Sequence, residues 1–136
     1  MIEKIDELNY LLLKKSLNAS AERGRVIAHN IANVNTKGFK ASRVVFEDKL
    51  KDAIENANVG LKTTHDKHIN DGSSISTLSH DVIKDKSTSM RLDGNNVDID
   101  NEMANLAANN ILYNALISQA NSRISVRRYV ISEGRR

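Results

Sequence analysis

Apolar residues recur at helical intervals through the first quarter of the chain. Ile5, Leu8 and Leu12 make one i, i+3, i+7 stripe, and Leu13, Leu17, Ala21, Gly24, Ala28 and Ile31 continue a neighbouring one. This is the period of an amphipathic helix, and it predicts one over residues 3–34. Its second half is lined with small residues that let another helix approach closely. A glycine inside a helix costs about 1 kcal/mol relative to alanine, so Gly24 either serves close packing, the preferred reading, or marks a weak point. The pattern stops at Asn35, Thr36, Lys37 and Gly38. Asn and Gly tolerate left-handed geometry, and Gly commonly follows a helix end. From 44 to 57 a helical pattern restarts, with Phe46, Leu50, Ile54 and Ala57 on one side, and predicts a short amphipathic helix.

Residues 58–96 hold no sustained period. Gly60, the run HDKHINDGSSISTLSHD and the tetrad DGNN supply many turn formers and few large apolar side chains. Strand-like runs at Leu61–Thr64 and Ile75–Leu78, or a segment that orders with a partner, both fit this composition. The last third is clearer. Asp98 or Asp100 can cap a helix beginning near Ile99, with Glu102 in the first turn, where negative charge suits the dipole. Met103, Leu106, Asn110, Tyr113, Ile117, Ala120, Ile124, Arg127 and Ile131 then follow an unbroken 3, 4, 3, 4 spacing, a heptad seam. Ala107, Ile111, Leu112, Ala115 and Leu116 flank it.

The expected fold is mainly α. Long N- and C-terminal helices pair as an antiparallel coiled coil, a short amphipathic helix follows the turn, and the middle is irregular or partly β. The divisions are 1–57 (helix, turn and short helix), 58–96 (middle segment) and 97–136 (C-terminal helix).

Composition sharpens this picture. The 136 residues suffice for one ordinary domain. Aromatics are 4%, and Trp, Pro and Cys are absent, so the seams are aliphatic and neither disulfides nor thiolate metal sites form. The net charge of +3 hides segregation: residues 14–43 carry +6, residues 44–102 carry −5, and residues 103–122 carry no charge. A helix with no charged face to give to water is normally surrounded by protein. Its six amides, including Asn105, Asn109, Asn110 and Asn114, would lack partners in lipid. A chain this small cannot bury such a helix alone, so other subunits are expected to do it. Asparagine in a helical seam then fixes register at some expense of stability. No run reaches the roughly 18 apolar residues of a membrane span. The N-terminus lacks the basic-then-apolar order of a secretory leader, so a route out of the cytoplasm would use no cleaved signal.

Other chemistries fare worse. His65, Asp66, His68, Asp71, His80 and Asp81 cluster in sequence but lack helical ligand spacing or a rigid scaffold, and a solvated polar loop is the better reading. The basic segments 14–43 and 123–136 could neutralise phosphates. Against a nucleic-acid patch, aromatics for stacking are nearly absent and the middle is acidic. No nucleophile, paired-carboxylate or Gly-rich signature has a supporting context, so neither an enzyme nor a cofactor is expected.

Two stretches carry a family resemblance. His29-Asn30-Ile31-Ala32-Asn33-Val34-Asn35-Thr36-Lys37-Gly38-Phe39-Lys40 resembles the SNIANVNT-x-GYK motif of bacterial flagellar axial proteins. SMRLDGNNVDIDNEMANLAANNILYNAL, with Asp93, Gly94, Asn95, Asn96, Val97 and Asp98 at its heart, resembles the segment leading into the C-terminal helix of proximal-rod subunits. The resemblance implies a structural subunit that polymerises through its terminal helices into the hollow rod. It further implies partners among copies of itself, other rod proteins, the MS ring and a FliE-type adaptor, after passage through the flagellar type III export apparatus into the periplasmic space. The expected assembly residues are Asn30 to Thr36, Gly38, Phe39, Asp93 to Asp98, and Met103, Leu106, Asn110, Tyr113, Ile117 and Ile124. One departure stands out: the family usually has proline where this chain has Lys37. Another rod subunit is the same-class alternative.

Overall fold

The computed structural model describes residues 2–59, 77–87 and 91–134. Among the described residues five elements follow in order: α1 (Ile2–Ala32), β1 (Ser42–Val45), α2 (Glu47–Val59), β2 (Asp81–Lys84) and α3 (Ile99–Glu133). At 1.5 Å per residue the two terminal helices are about 46 and 52 Å long. They pack against each other, and they run antiparallel: Ser20 meets Asn109, while the Arg127 guanidinium lies 5.4 Å from the Tyr10 ring centre.

The inner side of α1 is Ala19, Ser20, Val26, Ile27 and Asn30, all buried, with Leu12, Leu13, Ser16 and Arg23 half-buried. Ala21 and Ala28, placed on the stripe by spacing, are exposed. On α3 the inner side steps through Glu102, Leu106, Asn109, Tyr113, Leu116, Ala120 and Arg123, with Ile117 beside them. Of the residues on the expected seam, Leu106, Tyr113, Ile117 and Ala120 are half-buried. Met103, Asn110 and Ile124 are exposed, and Asn109 holds the inner position one residue earlier. The physical reason is that α3 carries apolar residues on every side, so several stripes satisfy a 3.5-residue period. Hydrogen bonding selects among them. Asn109 Nδ2 donates to the Ser20 carbonyl at 3.0 Å, and Ser20 Oγ donates to Asn109 Oδ1 at 3.0 Å. Gly24 sits beside this pair, where an added Cβ would meet Asn109 Nδ2 at an ordinary 3.5 Å.

At the other end of α1, Val26, Ile27, Val44, Phe46, Ala53 and Val97 are buried and form the apolar core. Here a strand precedes α2, which begins at Glu47 rather than at residue 44. Ser42-Arg43-Val44-Val45 pairs antiparallel with Asp81-Val82-Ile83-Lys84, with Ser42 opposite Lys84 and Val45 opposite Asp81. The Asn30 side chain closes the far edge of β1: its Nδ2 donates to the Ser42 carbonyl at 2.8 Å and its Oδ1 accepts from the Ser42 amide at 3.0 Å. One buried amide thus does the work of a third strand and keeps residues 42–45 extended. The helical spacing of Phe46, Leu50 and Ile54 holds in the helix that follows, with the Leu50 amide donating to the Phe46 carbonyl at 2.9 Å. Helix α2 then starts with Glu47 and Asp48, whose charges suit its N-terminus. Arg23 Nη2 lies 2.6 Å from both Glu47 carboxylate oxygens and ties α2 back to α1.

The β2 strand lies three residues beyond the expected Ile75–Leu78 run, of which Thr77 and Leu78 are described and not extended into a ladder. The run at Leu61–Thr64, and His65, Asp66, His68 and Asp71, lie outside the described residues. Among the described residues no three His, Asp or Glu side chains gather as a metal site, and no helix is long and apolar enough to cross a membrane.

Candidate functional site

The two motifs, whose contacting residues lie 55 to 62 positions apart in sequence, are locked together where α1 ends and α3 begins. The N-terminal motif supplies a turn. Thr36 accepts at its carbonyl from the Phe39 amide at 3.2 Å, and Gly38 between them has φ +71°. A left-handed residue third in a four-residue turn defines the type II geometry, which favours Gly there and Pro one position earlier. That earlier position is Lys37, which is exposed.

The second motif reaches across to this turn. Asn95 is 0% exposed. Its Nδ2 donates to the carbonyls of Asn33 and Val34, each at 3.0 Å, and of Thr36 at 2.9 Å. Its Oδ1 accepts from the Val97 amide at 2.8 Å. The carbonyls freed where α1 runs out are thereby satisfied by a side chain from the segment that leads into α3, in place of water. The Gly38 amide donates to the Asp93 carbonyl at 2.8 Å. Gly94, at φ +74°, lies so close that a Cβ on it would sit 3.8 Å from Gly38 Cα. Asn96 Oδ1 accepts from the Ala41 amide at 2.7 Å, and Asn96 Nδ2 donates to the Asp85 carbonyl at 3.3 Å. That joins the clasp to the β-ladder. Asp98 ends it by capping α3, accepting from the Asp100 and Asn101 amides.

Electrostatics reinforce the clasp. The Asn95 amide donates to Asp93 Oδ1 at 3.0 Å and, with Arg91 at 2.9 Å, holds the Asp93 carboxyl below its ordinary value. At Glu47, partial burial pushes the carboxyl up, but Arg23 and the helix-start amides outweigh it and leave a net lowering.

Of the expected residues, Asn33, Thr36, Gly38, Asp93, Gly94, Asn95 and Asn96 meet in the clasp, while Asn30 holds the edge of β1 through Ser42. Asn33 Nδ2 donates to the His29 carbonyl at 2.8 Å, and Thr36 Oγ1 donates to Asn33 Oδ1 at 3.2 Å. Ile31 and Val34 are half-buried, Ala32 and Asn35 are exposed, and Phe39 packs its ring 5.5 Å from that of His29. Val97 belongs to the core. Spacing missed Ser20 and Asn109. Ser20 carries no sequence signal, since a serine within a helical run is ordinary. Asn109 was one of several asparagines and lay off the chosen stripe.

Two long antiparallel helices are pinned together where α1 ends and α3 begins. A family described as "Flagella basal body rod protein" matches residues 16–40, which contain the whole turn motif. The flagellar basal body rod protein FlgB of Borrelia hermsii is 40% identical over 80% of this chain and 84% of its own length. FlgB of Bacillus subtilis is 32% identical over 90% of this chain and 92% of its own, and FlgB of Proteus mirabilis is 30% identical over 98% and 100%. The chain belongs to the FlgB family of flagellar basal body rod proteins.

Proposed function

We propose that this chain is a structural subunit of the proximal flagellar rod, polymerising through its terminal helices into the drive shaft that surrounds the export channel. One observation carries the assembly half of this reading: nine large apolar side chains of α3, from Ile99 to Ile131, are exposed, and Asn109 is the one described residue of that helix that is buried. Residues 103–122 offer water no charge at all. Such a surface is stable only when other helices cover it. Family membership supports the location. Copies of the chain and other rod proteins supply the covering helices, with the MS ring and a FliE-type adaptor at the membrane-proximal end. The flagellar type III apparatus delivers the chain to the periplasmic space. The role is mechanical and needs no catalysis, since torque passes through packed helices. Nothing in the fold favours the nucleic-acid alternative.

Removal of the gene tests this directly. Cells lacking the chain are expected to stop at the MS ring without a rod, and basal bodies from complemented cells are expected to contain it. Rods that assemble normally without the chain contradict the proposal.

A further inference from the structure

The glycine that the clasp needs at a positive φ also brings reactive chemistry to its neighbour. The chain holds two Asp-Gly pairs, Asp71-Gly72 and Asp93-Gly94. The first lies outside the described residues, and the second stands at the centre of the clasp. A glycine nitrogen is unshielded by any side chain of its own, so it can attack the carboxyl carbon of the aspartate before it. In that reaction the Gly94 nitrogen bonds to Asp93 Cγ, and its proton leaves with a carboxyl hydroxyl as water, closing a succinimide ring. Water then opens the ring. Cleavage of the new bond restores aspartate, whereas cleavage of the original peptide bond leaves isoaspartate, with the main chain running through Cγ.

The folded clasp occupies the groups this reaction uses. The Gly94 amide donates to the Arg91 carbonyl at 3.0 Å. Asp93 Oδ1 accepts from the Asn95 amide at 3.0 Å, and Oδ2 lies 2.9 Å from Arg91 Nη2. Both contacts favour the charged carboxylate, which has no hydroxyl to lose. The Asp93 carbonyl is fixed by the Gly38 amide at 2.8 Å. Isomerisation would undo this arrangement. It adds one carbon, about 1.5 Å, to the path between Asp93 and Asn95, and it turns the carbonyl that Gly38 uses into part of a free carboxylate. Asn95 is fully buried and holds three carbonyls at 2.9–3.0 Å, and such bonds fail beyond about 3.5 Å.

We propose that Asp93-Gly94 is a modification site that the clasp keeps latent: it isomerises while the chain is unfolded, and a chain isomerised there no longer closes the clasp. The modified chain is then a substrate for enzymes that methylate isoaspartyl carboxylates. This chemistry is independent of the rod reading.

Full-length chain carrying Asp71→Glu, which leaves Asp93-Gly94 as its one Asp-Gly pair, is aged at one pH and temperature in buffer and in guanidinium chloride. Isoaspartate in the tryptic peptide 92–123 is counted by enzymatic methyl transfer from S-adenosylmethionine. The expected rate in denaturant is about tenfold or more above that in buffer, because the folded chain reacts only through its opened fraction. Equal rates overturn the proposal. Asn95→Ala should speed the reaction in buffer by about tenfold and leave the rate in denaturant unchanged. A variant that keeps its helical circular dichroism yet reacts no faster than the native chain overturns it too. Chains aged in denaturant are then refolded and the isoaspartyl fraction is separated. That fraction is expected to lose hydrogen-exchange protection at the Gly38 amide, and native protection there overturns the claim that isomerisation keeps the clasp open.

Discussion

Replacing Asn95 by aspartate keeps the side chain's shape and removes its donors. In the native clasp two amide hydrogens and one oxygen serve four backbone groups: the carbonyls of Asn33, Val34 and Thr36 and the amide of Val97. At a net ~0.5–1.5 kcal/mol per hydrogen bond, and more where a buried group is left unpaired, Asn95→Ala should cost about 2–4 kcal/mol. Asn95→Asp should cost more at neutral pH, about 3–5 kcal/mol, because a buried carboxylate then faces three carbonyl oxygens. Either value is a large part of the roughly 5–15 kcal/mol that holds a domain together. Burial and the facing carbonyls raise the introduced carboxyl's folded-state pKa. The deficit of Asn95→Asp relative to the native chain should therefore shrink as pH falls and grow as pH rises through that raised value. Urea unfolding followed by circular dichroism at several pH values measures the deficits, and hydrogen exchange at the Gly38 amide reports the clasp locally. A deficit below about 0.5 kcal/mol for both variants, with the Gly38 amide still protected, would refute the clasp as the link between the motifs.

Lys37→Pro places proline where a type II turn favours it, and the bonds of this turn use the amides of Thr36, Gly38 and Phe39. It should stabilise the chain by about 0.5–1 kcal/mol in urea titrations and leave rod assembly intact; blocked assembly would show the turn to be misassigned. Asn109→Ala leaves Ser20 facing an empty site and should destabilise the isolated chain by about 1–3 kcal/mol. Asn110→Ala, one residue away and exposed, should change it by less than about 0.5 kcal/mol, and the reverse order would overturn the helix register. Glu47 and Asp93 titrate below their ordinary 4.5 and 3.8, so the stability they add is complete above those values. It is lost as pH falls through the lowered folded-state values. The Glu47→Gln, Asp93→Asn double variant should lose less stability than the native chain between about pH 5 and 2, and equal slopes would contradict the assignment.

Much of this fold was legible because long helices announce themselves by period. The two terminal helices, the turn at Gly38, the Asp98 cap and the helix after the turn all follow from local spacing and local chemistry. What spacing could not decide was which side of α3 faces inward. Apolar residues surround that helix, and Asn109 rather than Asn110 is chosen by a hydrogen bond to a serine 89 positions away. β1 was hidden for the same reason: Ser42 is extended because Asn30 supplies both its partners, a fact no window around residue 42 contains. The candidate site was half legible. Each motif was visible as a dense run of turn formers, but their meeting through Asn95 is long-range and has no signature in either run alone.

The proposed assembly requires neighbouring subunits to cover α3 in the rod. Ile111, 73% exposed in the isolated chain, lies on that surface, and Ile111→Cys introduces a lone thiol into a cysteine-free sequence. Its labelling rate by a maleimide is to be compared between purified chain and isolated basal bodies. Coverage predicts fast labelling of the free chain and strong protection in the rod. Equal rates in the two would contradict it.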